Sequence, residues 1–307
     1  MKILLLDSGK QMRGGQWQVL RLAGGLSSAG HDVTLLALQE GTLLQVAKRE
    51  GIRVEPLRAG RLWSAAGRSD IVHAHDARSH ALAVLARLRP VVVSRRVAFT
   101  IGTGILSKLK YRRVDRYIAI SGFVRKRLLD AGIAPQKIRV VYDGVPCPAS
   151  RPLPEPVRIV APATSDPMKG SDLLREAAKL AGVEVWFSEH LPADLKTASM
   201  FVYITRQEGL GSAALLAMAH GVPVIASGVD GLLEVVQPER SGLLVDNEPM
   251  AIAGAMRRLL SDASLRALLA EGGHRRVREH FSEEQMIKGT LEVYDDVLSG
   301  KHGEPAI

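Results

Sequence analysis

Residues 205–234, TRQEGLGSAALLAMAHGVPVIASGVDGLLE, combine an acid, Glu208, with a tight Gly209-Leu210-Gly211 turn that opens an apolar helical run at Ser212. A glycine turn at the start of a helix leaves backbone N–H groups without intrahelical partners and directs the positive end of the helix dipole outward. Such a place binds anions, and phosphate is the usual occupant. A second glycine turn lies in KQMRGGQ, residues 10–16, where Gly14 and Gly15 allow close approach of backbone to a ligand. It has neither the Gly-Lys-Ser/Thr of a P-loop nor a dinucleotide fingerprint, and on its own it reads equally as a helix-entry turn. In DIVHAHD, residues 70–76, strand alternation puts His73 and His75 on one face. No further ligands cluster with them, so a metal is not expected. His75 falls at the carboxyl end of the strand, where open α/β sheets contact ligands. Arg95 and Arg96 follow the next strand and have the bidentate geometry that suits phosphate; the alternative is a solvated basic face, which the Lys108–Lys110–Arg112–Arg113 run favours for itself. Lys169, ahead of a helix, adds a cation.

The elements that must position these groups alternate. Val-, Ile- and Leu-rich runs at 2–7, 32–38, 70–74, 91–94, 116–120 and 138–142 enclose helical patterns at 15–28, 80–89 and 122–131, with Ser121 a plausible N-cap. Short apolar strands between helices specify a parallel α/β sheet. The texture breaks at residues 146–156, PCPASRPLPEP, which can continue neither a helix nor a central strand and reads as a linker. Alternation resumes with strands at 158–163, 183–188, 200–205 and 222–226, a helix at 171–180, and closing helices at 249–260, 264–281 and 283–298. Two doubly wound halves imply a cleft for ligands between them. The 307 residues suffice for two cores, and the formal charge of +9 suggests an anionic partner. Aromatic residues make up only 4%, too few for the stacking that would support a nucleic-acid partner. The lone Cys147 excludes an internal disulfide and fits a reducing cytoplasm. No apolar run nears the ~18–20 residues of a membrane span, and no signal-peptide pattern precedes the first strand.

Several of these segments resemble one family. IAIS at 118–121, the run IRVVYDGV at 138–145, SRRVA at 94–98, Lys169-Gly170 and the 205–234 segment together are similar to the large retaining family 4 of GT-B glycosyltransferases, of the lipopolysaccharide and glycolipid type. The resemblance implies an α/β GT-B fold: two Rossmann-like doubly wound domains facing a central cleft, an acceptor domain over 1–147, a nucleotide-sugar donor domain over 157–282, and a C-terminal helix over 283–300 bracing the first. It implies transfer of a hexose from a nucleotide diphosphate sugar to a hydroxyl of an envelope glycolipid or polysaccharide precursor. Configuration is retained, no metal or other cofactor is needed, and the cytoplasmic enzyme touches the inner face of an anionic membrane.

On the same resemblance Glu208 and His75 are catalytic, and Gly14, Gly15, Lys169, Gly209, Leu210, Gly211, Ser212, Glu234, Arg95 and Arg96 bind the donor. Two family residues are replaced. Thr164 stands where an arginine usually shares the diphosphate with the lysine, and Leu216 where a glutamate usually holds the ribose. The stretch from Lys169 to the strand at 200 is also short, which implies a reduced nucleobase pocket. These departures keep open a non-catalytic GT-B relative that acts as a scaffold or binds glycan. A NAD-dependent Rossmann enzyme is disfavoured by the missing fingerprint.

Overall fold

The computed structural model describes residues 1–102, 104–149 and 153–300, the side chain of Leu106 excepted. Ser150, Arg151 and Pro152 of the proline-rich stretch lie outside them. The chain divides into two compact units, Met1–Gly144 with the chain from Glu283 onward, and Val145–Ser282.

The first unit runs β1 (Lys2–Asp7), α1 (Gly14–Ser28), β2 (Asp32–Ala37), α2 (Thr42–Arg49), β3 (Val54–Pro56), α3 (Ala59–Ala66), β4 (Ile71–Ala74), α4 (Ala77–Leu85), β5 (Val91–Arg95), α5 (Ile105–Arg112), β6 (Arg116–Ala119), α6 (Gly122–Asp130) and β7 (Ile138–Val140). Its strands form one parallel sheet in the order β3-β2-β1-β4-β5-β6-β7, with Ile3 opposite both Val33 and Ile71. The centre of the sheet is covered on both faces, so β1 is apolar between its charged ends, Lys2 and Asp7: Leu4, Leu5 and Leu6 have no exposed surface. Helix α1 turns Val19, Leu22, Ala23 and Leu26 inward, the i, i+3, i+4, i+7 stripe of an amphipathic helix. Ser121 caps α6 by accepting the N–H of Val124 at 3.0 Å.

The second unit runs β8 (Ile159–Pro162), α7 (Ser171–Ala181), β9 (Trp186–Ser188), α8 (Leu191–Asp194), β10 (Met200–Tyr203), α9 (Ser212–Ala219), β11 (Val224–Ser227), α10 (Leu232–Val235), β12 (Leu243–Val245), α11 (Pro249–Ser261) and α12 (Ala263–His280). Its sheet is again parallel, in the order β12-β11-β10-β8-β9. Val145 opens this unit rather than closing the first. Its N–H bonds Phe281 O at 3.0 Å and it bridges to Ser282, so the expected first domain, 1–147, ends three residues earlier. The strand expected at 183–188 is confined to β9, because Val183 N–H still closes helix α7 on Ala178 O.

After α12 the chain re-enters the first unit as α13 (Glu283–Leu298). Met286, Val293 and Tyr294 join the core under β1 and β2, and Arg21 of α1 pairs with Glu283 at 3.2 Å. Tyr294 has no exposed surface, and its hydroxyl meets His73 Nδ1 at 2.7 Å. Tyr294→Ala should destabilise the first unit by about 3–5 kcal/mol, the range for emptying a buried aromatic site. Tyr294→Phe, which only strands the histidine nitrogen, should cost about 1–3 kcal/mol. Urea denaturation of both variants checks the order; equal losses would show that the hydroxyl, and not the ring, carries the contribution of Tyr294.

Candidate functional site

In each unit the strand order reverses once, between β8 and β10 in the second and between β1 and β4 in the first. At such a switch the two flanking loops leave the carboxyl edge in opposite directions and open a crevice. Most of the sequence-predicted residues fall beside these two places; Arg95 and Arg96 follow β5, and Glu234 lies on α10 after β11.

In the second unit, Lys169 ends the loop after β8 and Glu208 lies in the loop after β10. Two hydrogen bonds tie the loops together: Arg206 N–H to Met168 O at 2.7 Å and Thr205 Oγ1 to the same oxygen at 3.1 Å. Lys169 Nζ then lies 2.5 Å from Glu208 Oε2 and 3.0 Å from Tyr203 OH, while Tyr203 OH donates to Glu208 Oε2 at 2.5 Å. Burial, and then the Glu208 charge, hold the Tyr203 phenol well above its ordinary pKa, so it stays a neutral donor. Glu208 Oε1 accepts Gly209 N–H at 3.0 Å, and the Glu208 N–H donates to Asp230 Oδ2 at 3.1 Å. The carboxylate is thus oriented by three neighbours and only part-buried.

Gly211 caps α9 at φ +108°, where side chains are strained, and a Cβ there would lie 2.5 Å from Leu232 Cδ2. Gly231 admits the 208–211 loop: a Cβ on it would meet Gly209 O at 2.2 Å. Gly209, Leu210 and Gly211 are buried, so this turn presents backbone, and Ser212 begins α9 half-buried. Glu234 sits on α10, where the backbone carbonyls of Glu234 and Val235 accept from Arg276. Leu216 is 7% exposed inside a helix whose residues from Ala214 to Ala219 are all buried.

In the first unit, the loops after β1 and β4 are joined by Asp76. Its carboxylate accepts Ser8 N–H (2.6 Å) and Ser8 Oγ (2.7 Å) and caps α4 through the N–H groups of Arg78 and Ser79. His73 is wholly buried, with both ring nitrogens engaged, Nδ1 by Tyr294 and Nε2 by Ser94 Oγ at 2.8 Å. His75 stacks on it, ring centres 4.0 Å apart, and its Nδ1 faces Arg96 Nη1 at 2.9 Å. A guanidinium only donates, so Nδ1 accepts and the proton of the neutral ring sits on Nε2. Burial, His73 and Arg96 all hold His75 well below its usual pKa. His75 is therefore a hydrogen-bond donor rather than a base. Nε2 has no partner among the described residues.

Arg96 is not on a solvated face: it pairs with the buried Asp143 at 3.0 Å. Arg95 reaches Tyr111 OH at 3.0 Å and Phe99 O. Gly15 lies where an added Cβ would be 3.7 Å from Arg96 Cδ, and Gly14 opens α1 beside it. Tyr203, Asp230, Asp76, Asp143, His80 and Tyr111 were not singled out from sequence. Asp76 had a signal, as an N-cap between a strand and a helix; the tyrosines had none.

Known proteins place this arrangement. Residues 12–147 match the family described as Glycosyltransferase Family 4, and residues 157–262 match Glycosyl transferases group 1. HepE of Anabaena, solved with UDP and glucose, has the same fold, with a TM-score of 0.80 at 16% identity over 96% of this chain and 99% of that one. The D-inositol 3-phosphate glycosyltransferase of Salinispora arenicola is 32% identical over 186 residues, 60% of this chain and 38% of that protein. The lipopolysaccharide core biosynthesis glycosyltransferase LpsD of Rhizobium meliloti is 33% identical over 102 residues, 33% of this chain and 30% of that protein. The matches thus span well under half the length of these curated relatives. The fold is GT-B, two parallel sheets with interleaved helices. The chain belongs to the family 4-like glycosyltransferases of that fold.

Leu216→Glu tests the replaced ribose position. A carboxylate placed there would enter a packed helix with no partner, so the second unit should lose several kcal/mol by thermal or urea unfolding and nucleotide affinity should not rise. Tighter nucleotide binding by a fully folded variant would mean that position 216 can reach a ligand.

Proposed function

We propose that this protein transfers a hexose from a nucleoside diphosphate sugar to a hydroxyl of an envelope glycolipid or polysaccharide precursor, retaining anomeric configuration without a metal ion. Lys169 and Glu208, brought to 2.5 Å at the switch point beside the start of α9, carry the reading. The ammonium of Lys169 and the backbone N–H groups around Gly209, Gly211 and Ser212 neutralise the leaving diphosphate. Glu208 faces the sugar, where positive charge develops as the bond from C1 to the phosphate oxygen breaks. The acceptor oxygen attacks the same face, and its proton passes to the departing diphosphate. In the first unit His75 donates from Nε2 to an acceptor oxygen, beside Gly14 and Gly15; in the second, Glu234 lies on the approach to the phosphates. Arg95 and Arg96, which the resemblance set among the donor-binding residues, lie in the first unit, and we read them there on the acceptor side.

HepE, whose complex holds UDP and glucose, supports a uridine nucleotide sugar as donor. LpsD supports an acceptor in envelope polysaccharide. No helix among the described residues is long and apolar enough to cross a membrane. Helix α5 does present Ile105 (85% exposed) and Leu109 (48%) to solvent among Lys108, Lys110 and Arg112, which suits contact with an anionic membrane surface. Thr164 and Leu216 favour the second reading, a GT-B protein that binds glycan without catalysis.

Calorimetric titration with UDP-, GDP- and ADP-sugars separates the two. Binding of one class, with turnover, is expected. Glu208→Gln should lower kcat by about a hundredfold or more and leave nucleotide affinity within a few-fold, since the charge acts mainly in the transition state. Lys169→Ala should weaken nucleotide binding about tenfold, because the diphosphate is already charged in the ground state. If the wild-type protein binds no nucleotide sugar at millimolar concentration, the transferase reading is lost.

A further inference from the structure

The first unit holds a cavity of about 260 Å³ beside the β4, β5 and β6 carboxyl ends. His75 and His80 line it from the β4–α4 side, Arg95 and Arg96 from β5, and Tyr111 and Tyr117 from the far wall. Three of the polar atoms around it, His75 Nε2, His80 Nε2 and Arg95 Nε, are buried without a hydrogen-bond partner among the described residues. His75 is 5% exposed and His80 2%. Folded proteins rarely leave such atoms unmatched, and three converging on one space mark a place built for a polar ligand.

The charges there do not balance. Arg96 is neutralised by Asp143. Among the described residues Arg95 has only neutral partners, the Tyr111 hydroxyl and the Phe99 carbonyl. Lys110, next to the cavity, donates to a carbonyl, Ala77 O at 2.7 Å, and has the Asp76 carboxylate as its counter-charge. The acid that lines the space, Asp76, is saturated by Ser8, Arg78 and Ser79. A half-buried guanidinium without a carboxylate is costly unless a ligand supplies the counter-charge. Tyr111 and Tyr117 stack at 5.8 Å, and His80 meets both edge-on, giving one wall an aromatic surface of the kind that covers a sugar ring.

We infer that this cavity seats an acidic sugar of the acceptor, one bearing a phosphate or carboxylate, with Arg95 as its counter-ion and His75 and His80 bonding its oxygens. This rests on reading the first unit as the acceptor side and adds the chemical class of the acceptor. Calorimetry on the full chain would compare glucose 6-phosphate, glucuronate and neutral methyl glucoside. At least one acidic sugar should bind tenfold or more tighter than the neutral one, the better of the two naming the anion. Arg95→Gln should abolish that preference while the thermal midpoint holds, and Arg95→Lys should restore part of it. Equal affinity for acidic and neutral sugars, or no binding of any, would overturn the inference. So would an unchanged preference in Arg95→Gln, or a parallel fall in its UDP affinity, which would place Arg95 on the donor. Should Arg95→Gln fail to fold, ¹⁵N spectra of the wild type decide: the preferred acidic sugar must shift the His80 Nε2 resonance, and an unmoved resonance refutes the seat. Titration with UDP-glucose tests the transferase reading separately.

Discussion

A parallel sheet covered by helices on both faces leaves only its strand ends for polar chemistry. In this protein β10 and all of β1 after Lys2 have almost no exposed surface, so any charged group placed there would need a buried partner. The exits of β1, β4, β8 and β10 are the places where such groups reach open space. There the two crossover directions diverge, and each divergence is stitched by hydrogen bonds between loops far apart in sequence: Ser8 to Asp76 in one unit, Arg206 to Met168 in the other. Those stitches fix Lys169 against Glu208 and His75 against Arg96. Without them, four flexible side chains would each lose rotamer freedom to meet a ligand.

The two sites solve charge burial differently. Lys169, Tyr203 and Glu208 form a closed set in which each polar group answers another, so the donor-side carboxylate is held in place before any ligand arrives. In the first unit the set stays open. Asp143 is raised by its burial although Arg96 opposes this, and the pair leaves Arg95 and two imidazole nitrogens unanswered. Burial holds His80 at a pKa of about 3, so it adds no charge of its own. One unit is preorganised around an internal ion pair and the other around a deficit of negative charge.

Much of this was legible in residue order. The 3.6-residue stripe of α1 and the unbroken apolar runs of β1 and β10 are periodic signals, and Gly211 announced its turn because few other residues accept a positive φ. Helix α13 was visible for the same reason, its inward residues Met286, Thr290, Val293 and Tyr294 recurring at helical spacing. Short edge elements such as β3 and β12 were not, since three residues carry no period, and β9 was visible only as a longer strand. Side-chain partnerships were the least visible. Arg95 and Arg96 are neighbours in sequence with opposite fates, because a strand sends successive side chains to opposite faces and only one face holds Asp143. Tyr203 becomes a polar partner only because the loop after β10 folds Glu208 back over its hydroxyl.

The replaced positions then take a physical meaning. Leu216 lies inside a helix buried on all sides, so the packing of α9 has absorbed a place that a polar residue would have left strained. Thr164 instead lies on the exposed loop after β8, its hydroxyl accepting Asp166 N–H at 3.1 Å. That loop does not lack a guanidinium: Arg206 crosses from the neighbouring loop to bond Pro167 O at 2.6 Å and pairs with Asp172 at 2.8 Å. An ion pair as exposed as that one contributes little and is readily exchanged for a stronger anion. Loss of a buried contact and loss of an exposed one therefore differ in kind. The first is sealed by packing, whereas the second leaves an arginine within reach of the same crevice.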